Sequence, residues 1–165
     1  MVATGYALSE LIKRESPELV LLGQQSDDAG CYAVGSVVGQ FLGQPALSQV
    51  SKLELSGTTL TLERQAEYGY DTLEVTLPAV ISVSDSANEP RYPSLKAIMG
   101  AKKKPVETWS LADLGVDPSR VGLGAAWTKV ESFTKRPPRA QGQIVTDEGD
   151  GGVKLAEFLS AQKFI

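Results

Sequence analysis

Residues 19–22 (LVLL) form a short, continuously apolar run, and a polar loop follows at residues 23–30 (GQQSDDAG). Such a run is typical of a strand buried on both faces of a parallel sheet. An amphipathic helix is predicted before the run and a second helix over residues 31–42 after the loop. In that second helix, Gly35 and Gly39 would allow close packing against a neighbour. This order predicts an α/β fold with an open, mainly parallel sheet and flanking helices.

The middle of the chain changes to β-branched residues that alternate with polar ones. Residues 50–55, 58–64 and 73–83 show this pattern, and Ser56-Gly57 is a tight turn between the first two runs. Pro78 lies near the start of a new buried run within the third. We therefore predict a β-meander of about three strands after the α/β unit.

Periodicity is largely lost over residues 121–149, and a final helix is predicted over residues 152–163 with Asp150 as a possible cap. We divide the chain into an α/β nucleotide-binding domain at residues 1–120 and an extended C-terminal arm with its helix at residues 121–165. Trp109, Trp127 and Phe133 are predicted packing residues, either within the chain or against a partner.

Residue counts exclude several kinds of chemistry. The chain has no histidine and one cysteine, so His-based nucleophile pairs, His-ligated metal sites and internal disulfides are excluded. A net charge of −4 argues against a nucleic-acid partner. The apolar runs are too short to span a bilayer, and the start does not resemble a signal peptide. With one cysteine, this predicts a cytoplasmic protein without direct membrane insertion.

The loop after the apolar run is a candidate nucleotide site. A loop that leads from a strand into a helix N-terminus offers free N–H groups and a favourable dipole to a phosphate. The candidate residues are Gly23, Gln24, Gln25, Ser26, Asp27, Asp28, Ala29, Gly30, Cys31, Tyr32, Ala33 and Val34. The alternative is a plain connection in which Asp27 or Asp28 caps the helix. Cys31 itself is either a reactive thiol or a buried packing residue, and the lack of a His or Cys partner favours packing.

A basic segment stands out from the acidic chain at residues 89–104. It contains Arg91, Lys96, Lys102, Lys103 and Lys104 against a single anion, Glu89. Basic residues beside apolar Leu95 and Met99 fit the docking of an acidic partner. The alternative is the solvated end of a short helix capped by Ser94.

Particular residues carry a family resemblance over nearly the whole chain. Residues 19–25 (LVLLGQQ), the strand region 64–82, residues 88–99 (NEPRYPSLKAIM) and residues 101–105 (AKKKP) resemble the beta subunit of electron-transfer flavoproteins. Residues 114–117 (LGVD) follow at that family's usual distance. The chain departs from many members at Tyr32, Ala33 and Val34, where they have Gly-Gln-Thr or Gly-Gln-Val.

The resemblance implies a non-enzymatic electron carrier with a Rossmann-like fold. Such proteins are heterodimers that carry electrons from flavin dehydrogenases, such as acyl-CoA dehydrogenases of fatty acid oxidation, to a quinone reductase or another acceptor. The alpha subunit holds most of one FAD, and the beta subunit usually holds AMP, or a second FAD in some members. The segment at residues 23–34 matches the AMP loop, and the C-terminal arm matches the contact with the alpha subunit.

The same resemblance assigns partner docking to the basic segment. The matching residues are Tyr92, Pro93, Ser94, Leu95, Ile98, Met99, Lys102 and Lys103, with Leu95 as the anchor in the partner's pocket. Residue 1 falls about a third of the way into the family's length, which predicts the C-terminal two-thirds of a beta subunit: a fragment, a mis-called start or a true short variant. A stand-alone adenine-nucleotide-binding module without an electron-transfer role is the alternative function.

Overall fold

The chain begins with helix α1 (Val2–Glu15), strand β1 (Leu19–Leu22) and helix α2 (Val34–Leu42). The computed structural model describes residues 1–139, 141–142 and 144–165 and divides into two compact units, Met1–Lys129 and Val130–Ile165. The predicted order of helix, strand, loop and helix is confirmed. Helix α2 begins at Val34 rather than at position 31, because the φ of 54° at Tyr32 is incompatible with a right-handed helix.

Among the described residues, four further strands complete a five-stranded sheet: β2 (Ala46–Ser56), β3 (Thr59–Ala66), β4 (Gly69–Thr76) and β5 (Ala79–Val83). The spatial order is β1-β5-β2-β3-β4. Strand β5 pairs in parallel with both β1 and β2, whereas β2, β3 and β4 are antiparallel neighbours. The α/β fold with flanking helices is confirmed. The sheet is mixed rather than mainly parallel, because β2 belongs both to the parallel part and to the antiparallel meander, so the two form one sheet.

The meander follows the predicted pattern with one division. Ser56 pairs with Thr59, so Gly57 and Thr58 form a two-residue turn, and Gly57 has a left-handed φ of 61° that glycine adopts without strain. The predicted run at residues 73–83 divides at Pro78 into β4 and β5, since proline has no N–H for a strand ladder. The strand after this division is β5, which lies at the centre of the parallel part of the sheet.

The hydrophobic core joins β5 to the first two strands of the meander. Its fully buried members are Val50, Leu60, Leu62, Ala79 and Ile81. Burying a large aliphatic side chain contributes about 1.5–3 kcal/mol to the free energy of unfolding. The core therefore depends on the contact between the parallel part of the sheet and the meander.

Strand β1 lies at an edge of the sheet and is hydrogen-bonded to β5 on one side only. Leu21 is 56% exposed, and no residue of β1 is fully buried. The prediction that this strand is buried on both faces is therefore wrong for the described residues. Edge strands normally carry charges, proline or bulges that prevent further pairing, and β1 has none of these within it. Its composition is that of an interior strand.

Helix α2 packs on β2 and β5, and α1 packs on α2. A Cβ atom at Gly39 would lie 2.6 Å from Ala46 Cβ and 3.1 Å from the Gln44 carbonyl oxygen, so the predicted close approach at Gly39 is confirmed. A Cβ atom at Gly35 would lie 3.7 Å from Ser82 Cβ, which is ordinary contact. The prediction for Gly35 is therefore wrong: this glycine is not required for close packing.

The second unit, Val130–Ile165, contains an irregular segment and helix α4 (Gly151–Ala161). Positions 140 and 143 of the predicted arm lie outside the described residues. Asp150 is the N-cap residue without a side-chain cap bond, and Asp147 Oδ1 instead accepts hydrogen bonds from the N–H groups of Gly149 and Gly151 at 2.8 and 2.9 Å. These backbone hydrogen bonds lower the pKa of Asp147. Phe133 here and Trp127 in the first unit are both 89% exposed, so neither packs within its own unit.

A helix that crosses a bilayer must be both long and apolar. Among the described residues, no helix meets both requirements.

The contrast between the two glycines of α2 can be tested by mutation. We expect Gly39→Ala to lower the free energy of unfolding by about 1–3 kcal/mol, because the added methyl group overlaps Ala46. Gly35→Ala is the matched control in the same helix, and it should keep or raise stability by up to about 1 kcal/mol, since alanine is the better helix former. Urea denaturation measures both. A Gly39→Ala variant as stable as the original chain would contradict this packing.

Candidate functional site

A cleft of about 520 Å³ opens at the carboxyl end of β1, where the loop leads into α2. The start of α1, the ends of β1 and β5, the loop and the first turn of α2 line it. The volume is within the range of about 300–1,000 Å³ that small-molecule sites usually occupy. The position is also the usual one for ligands in open α/β sheets, beyond the carboxyl ends of parallel strands.

Most of the predicted loop residues share this cleft. The lining includes Gly23, Gln24, Gln25, Ser26, Asp28, Ala29, Cys31, Tyr32, Ala33 and Val34, whereas Asp27 and Gly30 do not line it. Sequence reasoning missed Thr4 and Ser82. The parallel register that places Ser82 beside Leu22 is the signal that could have found Ser82, once β5 was assigned as the neighbour of β1.

The loop is held to the sheet at its first residue. Ser82 Oγ donates a hydrogen bond to the Gly23 carbonyl oxygen at 2.7 Å, which ties the end of β5 to the end of β1. Within the loop, the Gly30 N–H donates to the Ser26 carbonyl oxygen at 3.0 Å. Left-handed backbone at Gly30 and Tyr32 then turns the chain into α2. The cleft is thus formed by a folded loop with a fixed start.

Helix α2 begins without a side-chain cap. Its N-cap residue is Ala33, and no side chain accepts a hydrogen bond from the first turn. The alternative in which Asp27 or Asp28 caps this helix is therefore wrong, and Asp28 Oδ1 instead accepts from the Ala29 N–H at 2.8 Å. The N–H groups of a first helical turn have no acceptor within the helix. At α2 they remain available to a ligand in the cleft.

Among the described residues that line the cleft, the charged side chain is acidic. A hydrogen bond from Ser26, followed by one from the Ala29 N–H, lowers the pKa of Asp28, so this carboxylate is ionised at neutral pH. Neither lysine nor arginine occurs among the described residues that line the cleft. An anion here would be bound by backbone N–H groups and the dipole of α2, together with neutral side chains such as Gln24 and Ser26.

Cys31 lies exposed at the cleft, and its Sγ donates to the Ala29 carbonyl oxygen at 3.4 Å. The prediction that it is a buried packing residue is therefore wrong. The cause is the late start of α2, which leaves Cys31 in the loop instead of on the packed face of the helix.

The predicted docking residues form a separate feature on the short helix α3 (Leu95–Ala101). Ser94 is its cap, with Oγ accepting from the Ala97 N–H at 3.3 Å, as the sequence predicted. Tyr92, Leu95, Ile98 and Met99 are all exposed large hydrophobic residues, and Leu95 is 73% exposed. Pro93, Lys102 and Lys103 are also exposed, and no docking residue lines the cleft.

The apolar residues of α3 follow helical spacing. Leu95, Ile98 and Met99 are three and four residues apart, which places them on one side of the helix, and the lysines follow at its end. We call residues 92–103 the docking segment. It presents an apolar stripe with a basic border to solvent.

Comparison with known proteins shows the family. The family described as "Electron transfer flavoprotein domain" matches residues 1–114, which contain both the cleft and the docking segment. The chain belongs to the electron transfer flavoprotein domain family. The resemblance found in residues 19–25 and 88–105 is thereby confirmed.

Relatives of this electron transfer flavoprotein chain include three mycobacterial proteins named "Electron transfer flavoprotein subunit beta". Those of Mycobacterium bovis and Mycobacterium tuberculosis are 43% identical to it over 166 aligned residues, and that of Mycobacterium leprae is 42% identical. Each match covers all of this chain and 62% of the relative. The chain thus spans less than two-thirds of the curated relatives that it matches.

Proposed function

We propose that this chain serves as the beta-subunit portion of an electron-transfer flavoprotein. It works as an electron carrier with an alpha subunit, accepts electrons from flavin dehydrogenases such as the acyl-CoA dehydrogenases of fatty acid oxidation, and passes them to a quinone reductase or another acceptor. The observation that carries the proposal is the 43% identity over the whole chain to proteins named as beta subunits. A cytoplasmic location is part of the proposal, in keeping with its one free cysteine.

In this proposal the chain binds and positions, and no side chain of it is catalytic. FAD, held mainly by the alpha subunit, supplies the redox chemistry when bound. The absence of histidine from the sequence agrees with a subunit that performs no proton-transfer chemistry of its own. Its two tasks are to hold a nucleotide and to dock partner dehydrogenases.

We propose that the cleft holds AMP as a structural ligand. The uncapped start of α2 supports this assignment, because its N–H groups would bind the phosphate. Gln24, Gln25 and Ser26 supply neutral hydrogen-bonding groups for the rest of the nucleotide. Because Asp28 is negatively charged and neither lysine nor arginine is among the described residues that line the cleft, the helix start is the favourable place for the phosphate.

The proposed position of the phosphate can be tested by replacing Ala33 with aspartate or with asparagine, two residues of nearly the same shape. We expect Ala33→Asp to weaken AMP binding at least about tenfold, because its carboxylate would lie where the phosphate is bound. Ala33→Asn has nearly the same shape without the charge and should weaken binding much less. Isothermal titration calorimetry measures both, with thermal unfolding to check that the variants fold.

Adenosine provides the ligand control for this experiment. It lacks the phosphate, so its binding should differ little between Ala33→Asp and Ala33→Asn. Equal AMP affinities in these two variants would contradict phosphate binding at the start of α2.

We also propose that the docking segment contacts partner dehydrogenases, with Leu95 as its anchor. A large exposed apolar side chain with a basic border is suited to a pocket on an acidic surface, where a few anchors carry most of the binding energy. The helical spacing of Leu95, Ile98 and Met99 places the three on one side of α3 for such a contact.

The anchor role can be measured in the complex with the alpha subunit. We expect Leu95→Ala to lower kcat/KM for the reduction of the complex's FAD by an acyl-CoA dehydrogenase. The expected decrease is about 10- to 30-fold, because an interface hot spot is lost. Leu55→Ala is the matched control, because Leu55 is also exposed but lies at the end of β2 outside the docking segment. Equal rates for the two variants would rule out Leu95 as the anchor.

The same experiments separate the electron carrier from a stand-alone adenine-nucleotide-binding module. A module of that kind would bind AMP but would neither associate with an alpha subunit nor accept electrons from a dehydrogenase.

A further inference from the structure

The docking segment has little within itself to fix its position. Its helix, α3, has seven residues, and an isolated helix of that length is not stable in water. Every residue from position 88 to position 108 is exposed, so no buried side chain attaches the segment to the core. Its position must therefore be set where the chain before it and after it meets the rest of the first unit.

The chain before the docking segment leaves the sheet at the end of β5. The Ser84 N–H donates to the Val50 carbonyl oxygen of β2 at 2.9 Å, and Ser84 itself is buried. The Ser84 and Ser86 hydroxyl groups lie 2.8 Å apart and share a hydrogen bond. This attachment fixes the point from which the exposed stretch departs.

After the docking segment, the chain returns to α1 at Trp109. The guanidinium carbon of Arg14 lies 3.3 Å from the centroid of the Trp109 ring, a close cation–π stack. Arg14 Nη1 also donates to the Asp113 carbonyl oxygen at 3.3 Å, and Trp109 Nε1 donates to Glu107 Oε2 at 3.1 Å. Arg14 thus contacts both the first aromatic residue after the docking segment and the turn that follows it.

That turn is itself well defined. The Asp113 carboxylate accepts hydrogen bonds from the N–H and the Oγ of Ser110 at 2.8 and 2.6 Å. Three residues later, Val116 is buried. Trp109 therefore joins an exposed segment on one side to a fixed turn on the other.

We propose that the stack of Arg14 on Trp109 is the positioning contact of the docking segment, holding the chain that follows the segment on α1 so that Leu95 is presented in one place. This inference rests on the proposed docking function. The stack orders the segment before a partner arrives, and less conformational entropy is then lost on docking. Arg14 and Trp109 are positioning residues in this account and need not touch the partner.

A second stack of the same chemistry provides the control. Arg120 lies with its guanidinium carbon 3.9 Å from the Tyr6 ring centroid, and the Asp117 N–H donates to Tyr6 Oη at 3.2 Å. This stack also joins α1 to the returning chain, but it lies beyond the fixed turn and farther along the sequence from the docking segment. Its loss should affect the stability of the unit without releasing the docking segment.

The test uses the complex with the alpha subunit as the substrate of an acyl-CoA dehydrogenase. The quantities measured are the KM for the complex and the kcat for reduction of its FAD. We expect Arg14→Met to raise KM by about three- to tenfold with little change in kcat, because docking must now order the segment. Trp109→Phe keeps an aromatic face and should retain a KM near that of the original chain. Arg120→Met should change KM by less than about twofold.

A readout without the dehydrogenase is trypsin cleavage within the lysine run at residues 102–104. Arg14→Met should accelerate this cleavage, and Arg120→Met should not. If Arg14→Met fails to assemble with the alpha subunit, Arg14→Lys keeps the charge, loses the planar stack and should raise KM by a smaller factor.

An unchanged KM in Arg14→Met, or in Arg14→Lys where that variant replaces it, would overturn the inference. An equal rise in KM for Arg14→Met and Arg120→Met would also overturn it. Leu95→Ala separates this failure from failure of the proposed function. If Leu95→Ala impairs reduction and Arg14→Met does not, only the positioning role is wrong, whereas no effect of Leu95→Ala removes the docking function itself.

Discussion

Strand β5 pairs in parallel with β1 on one side and with β2 on the other, and the position of the cleft follows from this pairing. The register brings Ser82 beside Leu22, and the hydrogen bond from Ser82 to Gly23 then fixes the first residue of the loop. The loop turns into α2 at left-handed residues, which leaves the start of that helix uncapped beside the strand ends. Without the β1–β5 pair, Leu22 and Ser82, which both line the cleft, would not be neighbours.

Much of the local structure could be predicted from the sequence because it depends on nearby residues. The bounds of β1, the turn at Gly57 and the Ser94 cap all follow from short-range patterns. The start of α2 could not be predicted in this way, because residues 31–33 have apolar character that suits a helix, while the left-handed φ of Tyr32 is set by the folded loop. The prediction that Cys31 is buried is wrong for the same reason.

Longer-range features required the sheet order. Ser82 lines the cleft only because β5 is the neighbour of β1 in the sheet. Ser82 and its hydrogen-bond partner Gly23 are 59 residues apart in the chain. The stack of Arg14 on Trp109 likewise joins α1 to a distant segment. For the residues predicted to dock a partner, a local pattern was sufficient to place Leu95, Ile98 and Met99 on one helix.

Strand β1 has the composition of an interior strand and the position of an edge strand. The chain spans 62% of the length of its relatives.

The central claim is that this chain functions as a beta-subunit portion with an alpha subunit. The most direct test is co-expression of the affinity-tagged chain with the alpha subunit encoded in the same genome, followed by native mass spectrometry and an absorbance spectrum of the purified product. The account predicts a yellow 1:1 complex that contains FAD. Recovery of a colourless chain without an alpha subunit would contradict it.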